Sequence, residues 1–299
     1  MIVVIGATGT VGSEVTRRLL LRDEPVRVFS RDAARAAALA AQGAEVVVGD
    51  LERPDTVPAA VAGADALLLS TTPGPTMVRE QTAALAAARE AGVERVVRIS
   101  AVGAEPGSTV NLLDWHGRLD AALQASAPSW TIVRSVWFAQ NYLMQAGSIF
   151  GEGAIYGAMG SGKLAPVDVA DLAAVAVTAL TERGHDRQTY AVTGPKAGTQ
   201  QEIAEAIGAG LGRDVRYVDI PAEDLTGGLI ASGLPRWLAD GLVGLNVAYA
   251  GGLGDMVTDV VSSIGGVTPT TMQAFAAAHA GAFEAAAGGA AAPEPAGAA

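Results

Sequence analysis

The stretch that most constrains this chain is its first: MIVVIGATGTVGSEVTRRLLL, Met1 to Leu21. Ile2 to Ile5 form an apolar, largely β-branched run far too short to cross a membrane, which reads as a buried strand of a parallel sheet. Gly6, Gly9 and Gly12 follow at once. Val11, Val15 and Leu19 then recur every four residues, with Ser13, Glu14, Thr16 and Arg17 off that line, the pattern of an amphipathic helix packed on the sheet. This order points to a phosphate. Gly6 lets the chain turn sharply off the strand, Gly9 lets backbone approach a pyrophosphate, and Gly12 lets the helix lie close to the sheet. The unpaired N–H groups and positive end of the helix face the anion. The spacing is G-x-x-G-x-x-G, and the Lys and Ser/Thr of a P-loop are lacking.

The βα unit repeats along the chain. Val26–Ser30, Glu45–Val48, Asp65–Leu69, Arg95–Ile99 and Trp130–Arg134 read as strands, separated by helical stretches that include Val78–Ala91 and Asn111–Ser126. Strands alternating with helices at this interval predict an α/β fold, a Rossmann-like doubly wound parallel sheet whose C-terminal strand ends share one edge. After Arg134 the alternation relaxes, and a small C-terminal substrate lobe is expected over residues 136–284, with elements returning to the nucleotide domain of residues 1–135. Within it Gly157–Leu164 reads as a glycine-rich loop free to sit over a ligand, Asp168–Thr181 as an amphipathic helix, and Gln188–Val192 as a strand. Thr199 with Glu202 three residues later marks a helix start. Between Glu223 and His279 the helical pattern is broken by Gly241, Gly244 and Gly251-Gly252. From Ala285 onward the chain is alanine, glycine and proline around Glu294, a composition that predicts disorder over 285–299.

Composition narrows the function. A formal net charge of -11, with Lys163 and Lys196 as the only lysines, argues against a nucleic-acid footprint. The absence of cysteine removes disulfides, thiolate nucleophiles and Cys-based metal sites, and His116, His185 and His279 are too scattered for a zinc cluster, so no metal is expected. No basic leader or long apolar segment precedes the first strand; a cytoplasmic protein with no membrane attachment, a monomer or homodimer acting on a small molecule, is the expectation.

The second strand ends at Ser30-Arg31, where an NAD-specific site commonly carries Asp or Glu. A guanidinium there can pair with a 2′-phosphate through two parallel bonds, which favours NADPH over NADH; Asp32 either binds ribose hydroxyls or caps the next helix. Asp50, closing the third strand, either meets the adenine amino group or caps a turn. Thr71, Thr72 and Pro73 close the fourth strand where the middle of the cofactor passes, and Ser100 closes the fifth, facing nicotinamide or substrate.

The segments VVIGATGTVG, VFSRD, VVVGDLERP, VVRISAVGA, LLDWHGRLDAAL and WTIVRSVWFAQNYL resemble the NmrA-like branch of the atypical short-chain dehydrogenase/reductases, near the NAD(P)H:quinone oxidoreductase type, over Met1 to Asp219. The resemblance implies Gly6, Thr8, Gly9, Thr10, Val11 and Gly12 around the pyrophosphate, Arg31 near the 2′-phosphate, and Asp50 and Leu51 near adenine. It also implies Thr72 and Pro73 on the nicotinamide side and Ser100, His116, Phe138 and Asn141 around the substrate mouth. The chain departs from the broader family in having no Tyr-x-x-x-Lys; the corresponding helix carries His116 and Asp120. One turn apart, Asp120 can orient His116 or raise its basicity, so that His116 supplies a proton to a carbonyl; alternatively His116 only contacts ribose or substrate. Trp115, Trp137, Phe138 and Tyr142 form either an aromatic wall for a substrate or part of the lobe's core, and Tyr156 with the loop to Lys163 closes over the ligand. The expected activity is NADPH-dependent hydride transfer to a quinone or other conjugated carbonyl compound. A non-catalytic NAD(P)-sensing regulator, or an isomerase or hydrolase that kept the cofactor fold, are the alternatives.

Overall fold

The structure is a computed structural model and describes residues 1–127 and 129–288. Its first half runs β1 (Ile2–Ile5), α1 (Thr10–Leu20), β2 (Val26–Ser30), α2 (Ala33–Ala41), β3 (Glu45–Val48), α3 (Val57–Val61), β4 (Ala66–Leu69), α4 (Met77–Glu90), β5 (Arg95–Ala101), α5 (Asn111–Ser126) and β6 (Ser129–Ser135). There follow α6 (Ala146–Glu152), β7 (Ala154–Gly157), β8 (Lys163–Leu164), α7 (Val169–Thr181), β9 (Gln188–Val192), β10 (Gly198–Thr199) and α8 (Gln200–Leu211). The chain closes with β11 (Arg216–Asp219), α9 (Ala222–Ala231), α10 (Arg236–Ala250), α11 (Val260–Ser263), α12 (Met272–Ala278) and α13 (Ala280–Ala287).

Seven strands form one sheet in the order β3-β2-β1-β4-β5-β6-β9, and every pairing in it is parallel. Strands buried on both faces explain the continuous apolar runs: IVVI of β1 and ALLL of β4 are buried at every position. One face packs against α1 and α7 through Val11, Val15, Leu19, Leu172, Val175 and Ala179. The other packs against α3, α4 and α5 through Val57, Val61, Leu85 and Leu123. The chain order reverses between β1 and β4, which opens a crevice at their C-terminal ends.

The lobe is built from two short pairs, β7 with β11 in parallel and β8 with β10 antiparallel, wrapped by α6, α8, α10, α12 and α13 around a separate core that includes Ile149, Ile203, Ile207, Tyr249, Phe275 and Phe283. Thr199 and Glu202 form a reciprocal capping box at the start of α8. β9 and α7 return to the main sheet.

Several expectations need correction. α7 is not amphipathic: Val169 and every residue from Asp171 to Leu180 are buried, because the helix is wedged between the sheet and α1 on one side and α11 on the other. Gly241 and Gly244 do not break a helix. They lie inside α10, where a Cβ on Gly241 would stand 2.6 Å from Asn111 Oδ1, so the glycine lets α10 press against the start of α5. The loop after Tyr156 is not free. Asp219 Oδ1 accepts from Gly160 N (2.8 Å), Tyr217 Oη accepts from Met159 N (2.9 Å), and Lys163–Leu164 is paired with Gly198–Thr199. α13 continues to Ala287, three residues into the segment expected to be disordered; residues 289–299 of that segment lie outside the described residues.

Candidate active site

A cavity of about 1130 Å³ runs along the C-terminal edge of the sheet and under the lobe. That exceeds the ~300–1,000 Å³ of an ordinary small-molecule pocket, so it has room for a dinucleotide and a second reactant together. The glycine turn forms one end. Gly6 has φ +88, and a Cβ there would fall 2.0 Å from Ser70 O; a Cβ on Gly12 would fall 2.1 Å from Gly6 O. Both glycines are consumed by the packing of β1, α1 and the end of β4. Gly9 is different: its nearest neighbour to an added Cβ is Gly6 O at 3.4 Å, it is the N-cap of α1 and its helix start has no side-chain cap. Thr8, Gly9, Thr10 and Val11 line the cavity with the helix N–H groups behind them, a cradle whose shape and polarity fit a pyrophosphate.

Thr71, Thr72, Pro73, Ser100, His116, Trp137, Phe138, Asn141 and Tyr156 line the same cavity. Gly6, Gly12, Arg31, Asp50, Leu51 and Asp120 do not. Arg31 is exposed beyond the rim, while Arg35, in the first turn of α2, is part of the lining; Asp32 caps α2 by accepting from Ala34 N (2.7 Å). Asp50 turns one carboxylate oxygen to Glu52 N (3.0 Å), closing its own turn. Of the aromatic group, Trp115 packs on Trp237 with ring centroids 5.6 Å apart, away from the lining. Trp137 meets Tyr249 edge-on, and Tyr142 is buried with its hydroxyl donating to Gln200 Oε1 (3.0 Å); burial pushes that phenol's pKa up. The far end is aliphatic, with Leu225 and Leu229 of α9 and Leu238, Leu242 and Leu245 of α10. α9 has no buried residue of its own, so it covers the cavity as a thin wall.

The largest departure from the sequence reading concerns Asp120. Its carboxylate does not reach His116. It accepts from Arg98 Nη1 (2.5 Å) through Oδ1, and from Ser100 Oγ (2.9 Å) and Arg134 Nη2 (2.8 Å) through Oδ2. The partner of the imidazole is instead Arg98, whose Nη2 lies 2.9 Å from His116 Nδ1. A guanidinium facing the ring lowers its basicity, the opposite of what a carboxylate would do. Desolvation, and after it the charges of Arg98 and Arg134, hold His116 well below its usual pKa, so the ring is neutral at physiological pH. Among the described residues there is no group of three or more His, Asp or Glu able to hold a metal, and no helix is long and apolar enough to cross a membrane.

A parallel sheet with a bare helix N-terminus at its switch point, joined in one cavity to a polar floor at the strand ends, defines a dinucleotide-binding protein. Residues 6–183 match the family described as NAD(P)H-binding. An NAD(P)H azoreductase of Xenophilus azovorans is 42% identical over 289 residues, 96% of this chain and 100% of that one. Quinone oxidoreductase 2 of Escherichia coli (strain K12) is 32% identical over 93% of this chain and 98% of its own. The crystal structure of the Escherichia coli NADPH-dependent quinone oxidoreductase complexed with NADPH is similar with a TM-score of 0.85 at 31% identity, covering 93% of this chain and 99% of that one. The chain belongs to the NAD(P)H-binding family.

Proposed function

We propose that the protein is an NADPH-dependent reductase that passes hydride to quinones and related conjugated acceptors, azo compounds included. The observation that carries this reading is the union, in one cavity, of a phosphate cradle at Thr8 to Val11 with a floor of Thr71, Ser100 and His116. The identities of its relatives support it. The bound cofactor supplies the hydride; the cradle and the side chains of Thr71, Thr72 and Pro73 hold it at the strand ends. A quinone spreads the incoming charge over a conjugated ring, so the chain needs a hydrogen-bond donor at the acceptor's oxygen and not a strong acid. His116 fills that role as a neutral imidazole, which replaces the proton-donating His116 assisted by Asp120 of the sequence reading. Trp137, Phe138, Asn141 and Tyr156 wall the acceptor's side of the cavity. The site is cytoplasmic in this reading, where reduced cofactor is supplied.

Loss of reduced-cofactor absorbance on mixing the protein with NADPH and a panel of quinones and azo compounds tests the activity; intact NADPH binding with no oxidation across the panel overturns it. His116→Ala is expected to lower kcat about tenfold, the value of one hydrogen bond near a developing charge, with NADPH affinity unchanged. A kcat equal to wild type would remove His116 from the chemistry.

Two arginines, Arg31 at the end of β2 and Arg35 in the first turn of α2, stand on the adenosine side, and in this reading both serve the 2′-phosphate. Since Arg35 lines the cavity and Arg31 does not, Arg35→Ala should weaken NADPH about tenfold with NADH little changed, and Arg31→Ala should do so less. Calorimetric titration of both cofactors checks this; equal weakening of NADPH and NADH by Arg35→Ala would sink the phosphate role.

A further inference from the structure

Arg98 is an arginine in the middle of a buried strand, with none of its surface exposed to solvent. It does not itself line the cavity, but it bonds His116, which does. We propose that Arg98 is a positioning residue that fixes the hydrogen-bond polarity of the cavity floor, presenting Thr71 and His116 as donors and Ser100 as an acceptor.

The argument rests on one property of a guanidinium: it has five N–H donors and no acceptor, so every atom it bonds must accept. Arg98 Nε donates to Gln81 Oε1 (3.0 Å), Nη1 to Asp120 Oδ1 (2.5 Å) and Nη2 to His116 Nδ1 (2.9 Å). Each contact fixes a second one. With Oε1 taken, Gln81 turns its amide N–H to Thr71 Oγ1 (2.6 Å), which leaves the Thr71 hydroxyl proton for the cavity. With its Nδ1 lone pair taken, neutral His116 carries its proton on Nε2. With one oxygen of Asp120 held, the other accepts the Ser100 hydroxyl proton (2.9 Å), which leaves only lone pairs on Ser100 to offer. Reversing Gln81 or His116 would set a donor against the Arg98 donors, and turning the Ser100 proton away would set its lone pairs against the Asp120 carboxylate.

The charged groups around the imidazole are Arg98 on β5, Arg134 on β6 and Asp120 on its own helix; α4, packed on α5, brings Gln81 preceded by Glu80. Two guanidiniums against one carboxylate leave one positive charge beneath the floor. This favours the anion that forms when hydride adds to a quinone or azo acceptor. Burial lowers the Arg98 pKa to about 10 and the Asp120 carboxylate opposes the shift, so Arg98 stays a cation, and a donor, at neutral pH. The polarity of the floor stands independently of the reductase reading; only its effect on turnover rests on that reading.

The test is nitrogen NMR of the full chain with 15N-labelled histidine, the His116 signals being identified by their loss in His116→Gln. Wild type is expected to show His116 as a single neutral tautomer, protonated at Nε2, with no titration near the ordinary histidine pKa of about 6.5. In Arg98→Lys the fork is lost, while burial and the positive charges around the ring still keep it neutral, so His116 should populate both neutral tautomers. The sign in turnover follows. The molecules that carry the His116 proton on Nδ1 lack the Nε2 donor, so kcat falls in proportion to that fraction. So kcat in Arg98→Lys should fall together with the share of the Nε2 tautomer read by NMR, with KM for NADPH unchanged. A wild-type His116 protonated at Nδ1 overturns the proposal, and this measurement decides even if Arg98→Lys fails to fold. A single unaltered Nε2 tautomer in folded Arg98→Lys overturns it as well. If the tautomer is as stated and no acceptor is reduced, the reductase reading alone has failed.

Discussion

Gly12→Ala is expected to unfold the protein or to lower its stability by about 4 kcal/mol or more, whereas Gly9→Ala should fold normally and lose NADPH affinity about a hundredfold. The two glycines are three residues apart and differ in what lies beside them. A methyl on Gly12 would stand 2.1 Å from the carbonyl oxygen of Gly6 and 3.0 Å from Ala7 Cα, both backbone atoms at the end of a strand buried at every position. Neither can yield without moving α1 off β1, and α1 carries Val11, Val15 and Leu19 into the largest core cluster. A methyl on Gly9 meets nothing closer than 3.4 Å, and its φ of −85 is open to alanine. Losing glycine from an N-cap costs about 1 kcal/mol or less, which thermal unfolding will register as a small shift. The methyl does, however, occupy the space through which a pyrophosphate reaches the first N–H groups of the helix. Fluorescence titration with NADPH separates the outcomes: wild-type affinity in a folded Gly9→Ala would mean that the cradle does not hold phosphate.

This contrast was legible in the sequence because a strand, a turn and a helix are local, and their spacing dictates where each glycine falls. The parallel, doubly wound character of the sheet was equally readable from the alternation of apolar runs with helices, whereas the order of its strands comes from the structure. What the chain does at the floor of the cavity was not, since helical periodicity places His116 and Asp120 on one face without saying what stands opposite. The structure brings Arg98 from β5 and Arg134 from β6 against that face, and both outcompete the imidazole for Asp120. A signal was present: in VVRIS an arginine interrupts a run that is otherwise apolar and buried, and a charge at such a position needs a partner from another element. Asp120, buried on α5, is that partner. Similarly, Gly241 looked like a helix breaker because composition cannot report the approach of Asn111 and Leu112 from 130 residues away in sequence, roughly. That Arg35 lines the cavity was not legible either, because the end of β2 could be located in the sequence but the direction in which the first turn of α2 points could not.

Asp120 also carries the second large effect. Replacing it with alanine is expected to destabilise the fold by about 3–5 kcal/mol, because the carboxylate neutralises a guanidinium that has nowhere else to go. The Arg134 side chain is 27% exposed and can turn toward water, but that of Arg98 is 0% exposed and would be left buried with Gln81 and a neutral imidazole as its partners. Asp120→Asn keeps an acceptor for one arginine without the charge and should fall between alanine and wild type. Asp240 provides the comparison. It forms an i,i+4 pair with Arg236 in which both side chains are largely exposed, and Asp240→Ala should change stability by about 0.5 kcal/mol or less. Urea unfolding of the three variants measures the series. The decisive member is the double variant Arg98→Met with Asp120→Ala: if an uncompensated buried charge is the cause, removing the arginine too should restore part of the loss, so the double variant is more stable than Asp120→Ala alone. Simple addition of the two single losses would instead locate the penalty in packing around α5, and the ion pair would then be incidental to the stability of the fold.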